Sequence, residues 1–348
     1  MARGQTRGAG VTETLPCPYL LFLADVADVT DAKTALGLRD WAPDRCVAEW
    51  ALPAAKVSLG LPALTPVQAH AAGARALVIG VAAPGGRISP DWIPSLIEAL
   101  EAGLDLVSGL HARLNEIPAL AATAARLGRR LIDVRRPPID IPIASGARRG
   151  GKRLLTVGTD CALGKKYTAL ALTRAFVAQG LDARFRATGQ TGIMIAGSGI
   201  PLDAVVADFV AGAAERLTPD APDHHWDVIE GQGSLFHPAY AGVSLGLLHG
   251  SQPDVIVVCH AVGRSRLSGF ETFAVPSLEE TIAVNLQLAR RTNAAVRCAG
   301  VSLNSASLSD VEAAAVLARE AARLGLPCAD PLRGGAAFQR LVDACLKS

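Results

Sequence analysis

Aromatic residues are scarce in this chain: they make up 4% of its 348 residues, although 50% of the residues are hydrophobic. A core with few rings has to be built from Ala, Val, Leu and Ile, which suits strands buried on both faces and small-residue helices packed closely upon them. A chain of this length exceeds the usual size of one domain. We therefore expect two domains with separate cores.

A strong net charge is also lacking. The formal net charge is +2, so bulk attraction points to neither a nucleic acid nor a membrane surface as a partner. Two arginine-rich runs, Arg135-Arg136 and Arg148–Arg153, are local exceptions. We interpret both as solvated linker.

The seven cysteines form no CxxC pair and have no His-Cys spacing typical of zinc. This usage argues against a structural metal and indicates a reducing compartment, with the cytoplasm as the default. No signal-peptide core precedes Pro16, and no apolar stretch is long enough to span a bilayer. The sequence therefore predicts a cytoplasmic protein whose residues 1–15 form a disordered tail.

Short apolar runs alternate with helix-like segments in the N-terminal half. Strands are predicted at Tyr19–Ala24, Ala76–Ala82, Asp105–Gly109 and 130–134. Such alternation predicts a parallel sheet with helices on its faces. No glycine fingerprint follows the first strand, so this Rossmann-like half gives no sign of a dinucleotide.

The Pro- and Gly-rich stretch from Pro137 to Gly151 interrupts both periodicities, and we place the domain boundary there. The predicted domains are residues 16–143, Rossmann-like, and residues 144–348, a doubly wound domain of the P-loop NTPase-like type. Polar clusters follow the predicted strands of the second domain, and ligands bind at the carboxyl ends of such strands. The overall class is α/β.

The segment Leu154–Leu172 organises the second domain: an apolar run leads into a glycine-bounded loop and then a helix with Lys165 near its start. Such a loop turns backbone N–H groups toward an anion, and the helix N-terminus adds partial positive charge. Gly158 and Gly164 enclose one residue more than in G-x-x-x-x-G-K-[ST], and Lys166 stands where the magnesium-binding hydroxyl is expected. Phosphate binding is therefore predicted, by Gly158, Thr159, Gly164, Lys165, Lys166 and, two residues further along the helix, Thr168.

Glu230 ends a predicted strand and is followed by Gly-Gln-Gly-Ser. Its carboxylate could hold a metal that bridges phosphate oxygens or take a proton from an attacking group; equally, it could cap neighbouring N–H groups. His237 is a second candidate base, with packing beside Phe236 and Pro238 as the alternative.

Four further residues have both a functional and a structural interpretation. Asp203 and Asp208 lie on one predicted helix; Asp203 is the candidate metal ligand if magnesium and a nucleotide bind, and otherwise a favourable charge at a helix N-terminus. Arg264 and Arg266 could clamp a substrate carboxylate, or be exposed arginines.

Asn304, at the end of a predicted strand, could contact a base or a substrate amide. Cys161 lies in the loop, where a helix N-terminus would lower its pKa. We do not expect covalent catalysis by this cysteine, because no partner histidine can be assigned.

Four segments resemble a P-loop family long known as a domain of unknown function: Gly158–Thr168, Ala187–Gly192, Glu230–Tyr240 and Pro276–Glu280. Its characterised branch consists of D-glutamate N-acetyltransferases. The resemblance covers nearly the whole chain, including the Rossmann-like half. The Gly-Thr-Asp opening of the loop and the Glu-Gly-x-Gly segment are also similar to dethiobiotin synthetase, an ATP-dependent P-loop enzyme.

The resemblance implies transfer of an acetyl group from acetyl-CoA to the amino group of D-glutamate, in amino-acid catabolism. Glu230 or His237 would then be the base, the loop and its lysines would hold the CoA phosphates, and Arg264 and Arg266 would bind the substrate carboxylates.

Two alternatives remain. One is a ligase- or kinase-like enzyme that uses ATP with Mg²⁺, and the other is a nucleotide-binding switch module without turnover. The acceptor's identity and chirality stay open, and a homo-oligomer is compatible with the composition.

Overall fold

The computed structural model describes residues 15–81 and 84–347. They form two compact units. The N-terminal unit consists of residues 15–137 together with Gln190–Pro201, and the P-loop unit consists of Pro138–Gly189 together with residues 202–347. The predicted tail lies outside the described residues except for Leu15, which is buried.

The N-terminal unit begins with nine helices and strands. In chain order they are β1 (Tyr19–Ala24), α1 (Lys33–Trp41), β2 (Cys46–Ala51), α2 (Pro66–Ala71), β3 (Ala76–Ile79), α3 (Ile93–Glu101), β4 (Asp105–Ser108), α4 (Pro118–Leu127) and β5 (Leu131–Asp133).

These five strands form one parallel sheet in the order β2-β1-β3-β4-β5. The predicted parallel sheet is confirmed, and β1 has the predicted bounds because its six residues are apolar and fully buried. The sequence did not indicate β2, since Glu49 interrupts its apolar pattern. The Glu49 carboxylate is buried and accepts hydrogen bonds from the Ser58 hydroxyl (2.6 Å) and the Leu59 N–H (2.7 Å).

The later elements follow from residue 152 onward. They are β6 (Lys152–Gly158), α5 (Lys165–Ala178), β7 (Ala183–Arg186), α6 (Gln190–Ala196), α7 (Val210–Leu217), β8 (Trp226–Ile229), α8 (Ala241–Ser251), β9 (Val255–Ala261), β10 (Arg266–Leu267), β11 (Phe270–Ala274), α9 (Leu278–Ala289), β12 (Arg297–Asn304), α10 (Asp310–Leu324), β13 (Cys328–Ala329) and α11 (Gly335–Leu346).

The sheet of the P-loop unit has six parallel strands in the order β13-β12-β9-β6-β8-β7. β6 is central, with β9 on one side and β8 on the other, so the loop after β6 lies where the strand order reverses. The predicted doubly wound α/β fold is confirmed. β10 and β11 form an antiparallel hairpin outside this sheet, which the sequence did not indicate.

Helix α6 belongs to the N-terminal unit although it follows β7 in the chain. The Thr191 hydroxyl lies 3.2 Å from the Thr34 hydroxyl, and the Tyr19 hydroxyl donates to the Met194 carbonyl (3.5 Å). The sequence did not indicate this helix, because Gly192 is an unfavourable residue within a helix. The helix forms where the apolar run after that glycine is buried in the N-terminal unit.

The single helix predicted through Asp203 and Asp208 is also wrong. The structure has two separate 3₁₀ turns, Leu202–Ala204 and Ala207–Phe209, before α7 begins. The β-branched pair between them disfavours a helix, and Val206 is extended (φ −59°, ψ 137°).

Two helices in the C-terminal half begin with a serine cap. Ser277 accepts a hydrogen bond from the Glu280 N–H (3.1 Å) at the start of α9, and Ser309 and Glu312 form a complete capping box before α10. These contacts satisfy N–H groups that have no partner within the helix. Among the described helices, none is both long and apolar enough to cross a membrane.

Candidate functional site

The loop after β6 closely approaches the neighbouring strand β9. A Cβ at Gly158 would lie 3.1 Å from the Cys259 carbonyl oxygen and 3.4 Å from Lys165 Nζ. Gly164 has φ 104° and precedes the first residue of α5. The positive φ favours glycine at position 164, and a Cβ at position 158 would make tight contacts with the neighbouring strand. This geometry confirms the predicted strand–loop–helix arrangement, with the α5 N-terminus at the loop.

The Lys165 side chain folds back across the loop. Its Nζ donates to the Asp160 carbonyl (2.7 Å), and the residue is 6% exposed. Burial lowers the Lys165 pKa. Lys166 is half-buried, with Nζ 5.1 Å from the centre of the Tyr167 ring. Two lysines thus stand at the N-terminus of α5, which favours bound anions.

The Asp160 carboxylate fixes the conformation of the loop, a role that we did not predict. It is fully buried and accepts hydrogen bonds from the Cys161 N–H (2.6 Å), the Ser268 N–H (2.9 Å) and Arg264 Nη1 (2.9 Å). Arg264 Nη1 also donates to the Cys161 carbonyl (2.7 Å). Because Ser268 lies between β10 and β11, these bonds join the hairpin to the loop.

The two predicted substrate arginines therefore differ in their surroundings. Arg264 is half-buried and uses one nitrogen on the loop itself, whereas Arg266 is exposed on β10. Both hydrogen bonds of Arg264 Nη1 are thus made to groups of the protein itself. Thr159 makes a further unpredicted contact in this region, with its hydroxyl 2.9 Å from His260 Nδ1.

Glu230 follows β8 and is buried. Its Oε2 accepts the N–H groups of Thr188 (2.9 Å) and Gly189 (3.0 Å), and neither bond uses Oε1. The capping role that we considered is thus present, and Oε1 can still serve another contact. Burial raises the Glu230 pKa, against the opposing charge of Lys166.

His237 is fully buried. Its Nδ1 accepts the Ala239 N–H (3.2 Å), so Nε2 carries the proton and faces the Ser268 carbonyl (3.3 Å). The ring stacks on Tyr240, with centroids 4.6 Å apart, and meets the edge of Phe270 at 4.9 Å. Since both nitrogens are engaged, this geometry favours the packing interpretation over a role as base, although the packing partners are not those we expected.

One group of possible metal-ligating residues is found in the described part of the chain, and it lies at this loop. It consists of Asp160, Cys161 and His237, whose ligand atoms lie within 4.8 Å of one another. Their chemistry does not fit a metal, because the Asp160 oxygens already bind three donors, one of them a guanidinium. Burial raises the Cys161 pKa, so our prediction that the helix N-terminus lowers it was wrong. Asp203, the candidate magnesium ligand, is exposed in a 3₁₀ turn and is not part of this group.

Two other predicted ligand-binding residues, Thr168 and Asn304, make hydrogen bonds to groups of the protein itself. The Thr168 hydroxyl lies 2.8 Å from the Ser302 hydroxyl and accepts the Cys259 thiol (3.5 Å), so it points toward the sheet instead of the loop. Asn304 ends β12 and its Oδ1 accepts the Ala306 N–H (3.1 Å).

Aromatic side chains collect beside the loop in this aromatic-poor chain. The ring centroids of Phe270 and Phe273 are 6.3 Å apart, and the His237 ring contacts both Phe270 and Tyr240. Tyr240 is 51% and Phe273 49% exposed. Among the large apolar side chains exposed in the described part of the chain, these are the two aromatic ones.

The sequence matches two domain families that correspond to the two halves of the chain. Residues 142–342 match the family described as "Domain of unknown function (DUF1611_C) P-loop domain", and residues 48–137 match "Domain of unknown function (DUF1611_N) Rossmann-like domain".

Relatives with similar lengths carry one name. A protein of Tritonibacter scottomollicae named D-glutamate N-acetyltransferase is 53% identical over 94% of this chain and 98% of its own length. A protein of the same name from Pseudoalteromonas sp. is 46% identical over 91% of this chain and 96% of its own length.

A solved structure shares the fold. The crystal structure of a DUF1611 family protein from Anabaena variabilis has a TM-score of 0.86 and 36% identity, and the match covers 95% of this chain and all of that protein. With its P-loop half and most of its Rossmann-like half matched, the chain belongs to the DUF1611 family.

Proposed function

We propose that this protein transfers an acetyl group from acetyl-CoA to the amino group of D-glutamate. Its two relatives named D-glutamate N-acetyltransferase align over nearly their whole length at 53% and 46% identity. The structural observation that carries the proposal is a phosphate loop with two lysines beside a buried carboxylate, Glu230, on the adjacent strand end.

The loop suits the phosphates of acetyl-CoA. A pyrophosphate and a 3′-phosphate offer several negative charges, and Lys165, Lys166 and the N-terminus of α5 offer complementary positive charge. A lysine occupies the place of the usual magnesium-binding hydroxyl, and the Thr168 hydroxyl faces the sheet. These donors suit phosphates held by lysine better than a magnesium–nucleotide complex.

The aromatic side chains beside the loop suit the adenine base of the same molecule. Tyr240 and Phe273 present exposed rings, and the hairpin that carries Phe273 is bonded to the loop through the Ser268 N–H. Stacking of a base on an aromatic side chain contributes about 1–3 kcal/mol.

Glu230 is the proposed general base. Acetyl-CoA supplies an activated thioester, and the attacking ammonium group must first lose a proton. Because the Thr188 and Gly189 N–H groups hold Oε2, Oε1 is the atom available to take that proton. Burial raises the Glu230 pKa, which makes its carboxylate a better proton acceptor than an exposed one.

Calorimetric titration tests the donor. Wild type, Lys165→Ala and the control Lys56→Ala, which removes an exposed lysine of the other unit, are each titrated with acetyl-CoA and with ATP plus Mg²⁺. We expect acetyl-CoA to bind wild type and the control but not Lys165→Ala, and purified wild type to form N-acetyl-D-glutamate. Magnesium-dependent ATP binding without a response to acetyl-CoA would instead support the ATP-dependent enzyme.

A truncated donor tests the aromatic contact. Tyr240→Ala with Phe273→Ala should raise the KM for acetyl-CoA about tenfold but leave the KM for acetyl-phosphopantetheine, which has no adenine, unchanged. Equal effects on both donors would remove adenine stacking from the proposal.

The proposed setting of the reaction is D-glutamate catabolism in the cytoplasm.

A further inference from the structure

The turn after β8 carries two polar side chains, Glu230 and Gln232, on either side of a glycine. The Gly231 N–H donates to the Thr156 hydroxyl (2.9 Å). A Cβ at Gly231 would lie 1.7 Å from the Thr156 carbonyl oxygen and 3.0 Å from Lys165 Cδ, so a larger residue does not fit there. The turn is therefore fixed against β6 and the first residue of α5, and with it the backbone of both polar residues.

The Gln232 side chain is bonded to the segment that follows β7. Its Nε2 donates to the Thr188 hydroxyl (2.9 Å), and that hydroxyl donates to the Glu230 carbonyl (2.6 Å). A hydroxyl has one hydrogen, so the Thr188 oxygen accepts at Gln232, which fixes the end of the amide that faces it. Thr188 is fully buried, whereas Gln232 is half-buried. The amide thus closes a chain of hydrogen bonds that begins and ends within the turn after β8.

The same segment holds the Glu230 carboxylate. The Thr188 and Gly189 N–H groups donate to its Oε2, so this segment contacts Glu230 at both its carbonyl and its carboxylate. A Cβ at Gly189 would lie 2.8 Å from Gln232 Nε2 and 3.4 Å from Glu230 Oε1. The amide nitrogen and the second carboxylate oxygen therefore border the same side of Gly189, which is bare because glycine has no side chain.

We infer that Gln232 is a positioning residue for the general base. By holding the Thr188 hydroxyl, it keeps the two backbone N–H groups on Glu230 Oε2 and leaves Oε1 as the atom that takes the proton from the acceptor's ammonium group. One proton moves from nitrogen to Oε1, and the electron pair that remains on nitrogen is the nucleophile. The inference rests on the proposed function and deepens it, because it assigns the residue that sets which carboxylate oxygen reacts.

The hydrogen bonds on Oε2 also affect the charge of Glu230. Burial raises its pKa, whereas the charges of Lys166 and Lys165 on α5 and the two backbone N–H groups lower it. Removal of the Gln232 amide leaves the burial and both lysines in place but loosens the N–H groups, which stabilise the charged form. The pKa of Glu230 should then rise further, and this change is a readout that a purely structural role would not give.

The test compares Gln232→Met with Gln287→Met in the full-length protein. Methionine is unbranched like glutamine but donates no hydrogen bond, and Gln287 is exposed on α9. We expect Gln232→Met to move the acidic limb of kcat/KM for D-glutamate upward by about 0.5–1 pH unit, the size that loss of one hydrogen bond allows. Below the limb, kcat/KM should be about threefold to tenfold lower than in wild type. Gln287→Met should leave the limb in place.

Two results would overturn the positioning role. One is an acidic limb that is unchanged in folded Gln232→Met. The other is a loss of activity in equal proportion at every pH, because that result would show damage to the fold without a change in the ionisation of Glu230. At high pH, where Glu230 is ionised in both proteins, the two values of kcat/KM should approach each other.

A second measurement separates this inference from the proposed function. If wild type does not acetylate D-glutamate, the function fails, and NMR titration of ¹³C-labelled glutamate carboxyl groups then tests the contact. The Glu230 signal is the one that is missing from Glu230→Gln. A higher titration midpoint in Gln232→Met than in wild type supports the hold of Gln232 on the carboxylate, and equal midpoints overturn it. If wild type is active and the midpoints are equal, the function stands and the positioning role fails.

Two Thr188 variants apply if Gln232→Met does not fold, as judged by circular dichroism. Thr188→Val keeps the branched shape but removes the hydroxyl, whereas Thr188→Ser keeps the hydroxyl. Thr188→Val should move the acidic limb upward as described for Gln232→Met, and Thr188→Ser should restore the limb of wild type. The same limb in both variants would overturn the inference.

Discussion

Glu230 combines a buried carboxylate with two backbone donors on the same oxygen. Burial raises its pKa, so the group is protonated up to a higher pH than an exposed glutamate. If Glu230 is the base, the rate of acetyl transfer should rise as pH rises through this raised pKa. Glu230→Gln should lower kcat about 10²- to 10⁴-fold, measured with saturating acetyl-CoA.

The same raised pKa predicts an effect on stability. Between the unfolded and folded pKa values the folded state binds more protons, so ionisation of Glu230 lowers the free energy of unfolding as pH rises. We expect Glu230→Gln to unfold at a higher temperature than wild type at pH 8, and the difference to shrink toward pH 4. The exposed Glu98→Gln is the control. A variant destabilised at pH 8 would show that the charged form is favoured in the fold.

Lys165 is the first residue of α5, directly after the loop, and burial lowers its pKa. Only the protonated amine attracts phosphate, so the affinity for acetyl-CoA should fall as pH rises through this lowered pKa, below the usual value of about 10.4. Bound phosphate favours the charged form, so binding near that pKa should take up a proton. Calorimetry between pH 7 and 9.5 in buffers of different ionisation enthalpy measures both effects, and an affinity that is independent of pH would contradict them.

At the scale of elements, α8 packs on α7 through glycines spaced four residues apart. A Cβ at Gly250 would lie 2.0 Å from the Ala211 carbonyl oxygen, and one at Gly246 2.6 Å from Val210 Cγ1. Gly250→Ala should therefore separate the helices and lower the free energy of unfolding by about 1–3 kcal/mol. The exposed Gly242 of the same helix has nothing within 4 Å of its Cβ position.

Gly242→Ala is thus the matched control, and it should raise the free energy of unfolding by about 0.5–1 kcal/mol. Urea denaturation of both variants gives the comparison. Equal effects of the two changes would show that helix propensity, and not the close approach of α7 and α8, determines the result.

For the whole molecule, the division into units does not follow the order of the chain. Gln190–Pro201 belongs to the N-terminal unit, where apolar side chains of α6 are buried and Thr191 meets Thr34. A fragment of residues 15–137 should therefore unfold at a lower temperature and bind more of the dye ANS than the same fragment joined by a flexible linker to residues 190–201. Identical melting curves would mean that α6 adds nothing to the stability of that unit.

Local sequence patterns predicted much of the fold. The six apolar residues of β1, the alternation of strands and helices, the glycine-bounded loop and the capping box at Ser309 are each encoded within a few consecutive residues, so the sequence predicts them directly. The same holds for the parts of the site that are adjacent in the chain: Gly158, Gly164 and the two lysines define a strand–loop–helix phosphate motif through their spacing alone.

Contacts between distant residues decided the rest. Asp160 is fixed by Arg264, 104 residues later, and Thr168 is turned into the sheet by Ser302, 134 residues later. α6 forms because an apolar segment is buried in the other unit. The sequence by itself determined the elements that have strong local patterns, and it predicted an anion site at the loop, since both depend on local spacing and propensity. Only the tertiary structure decided which polar side chains point into a cavity and which satisfy the protein's own groups, because burial and pairing depend on residues far away in the chain.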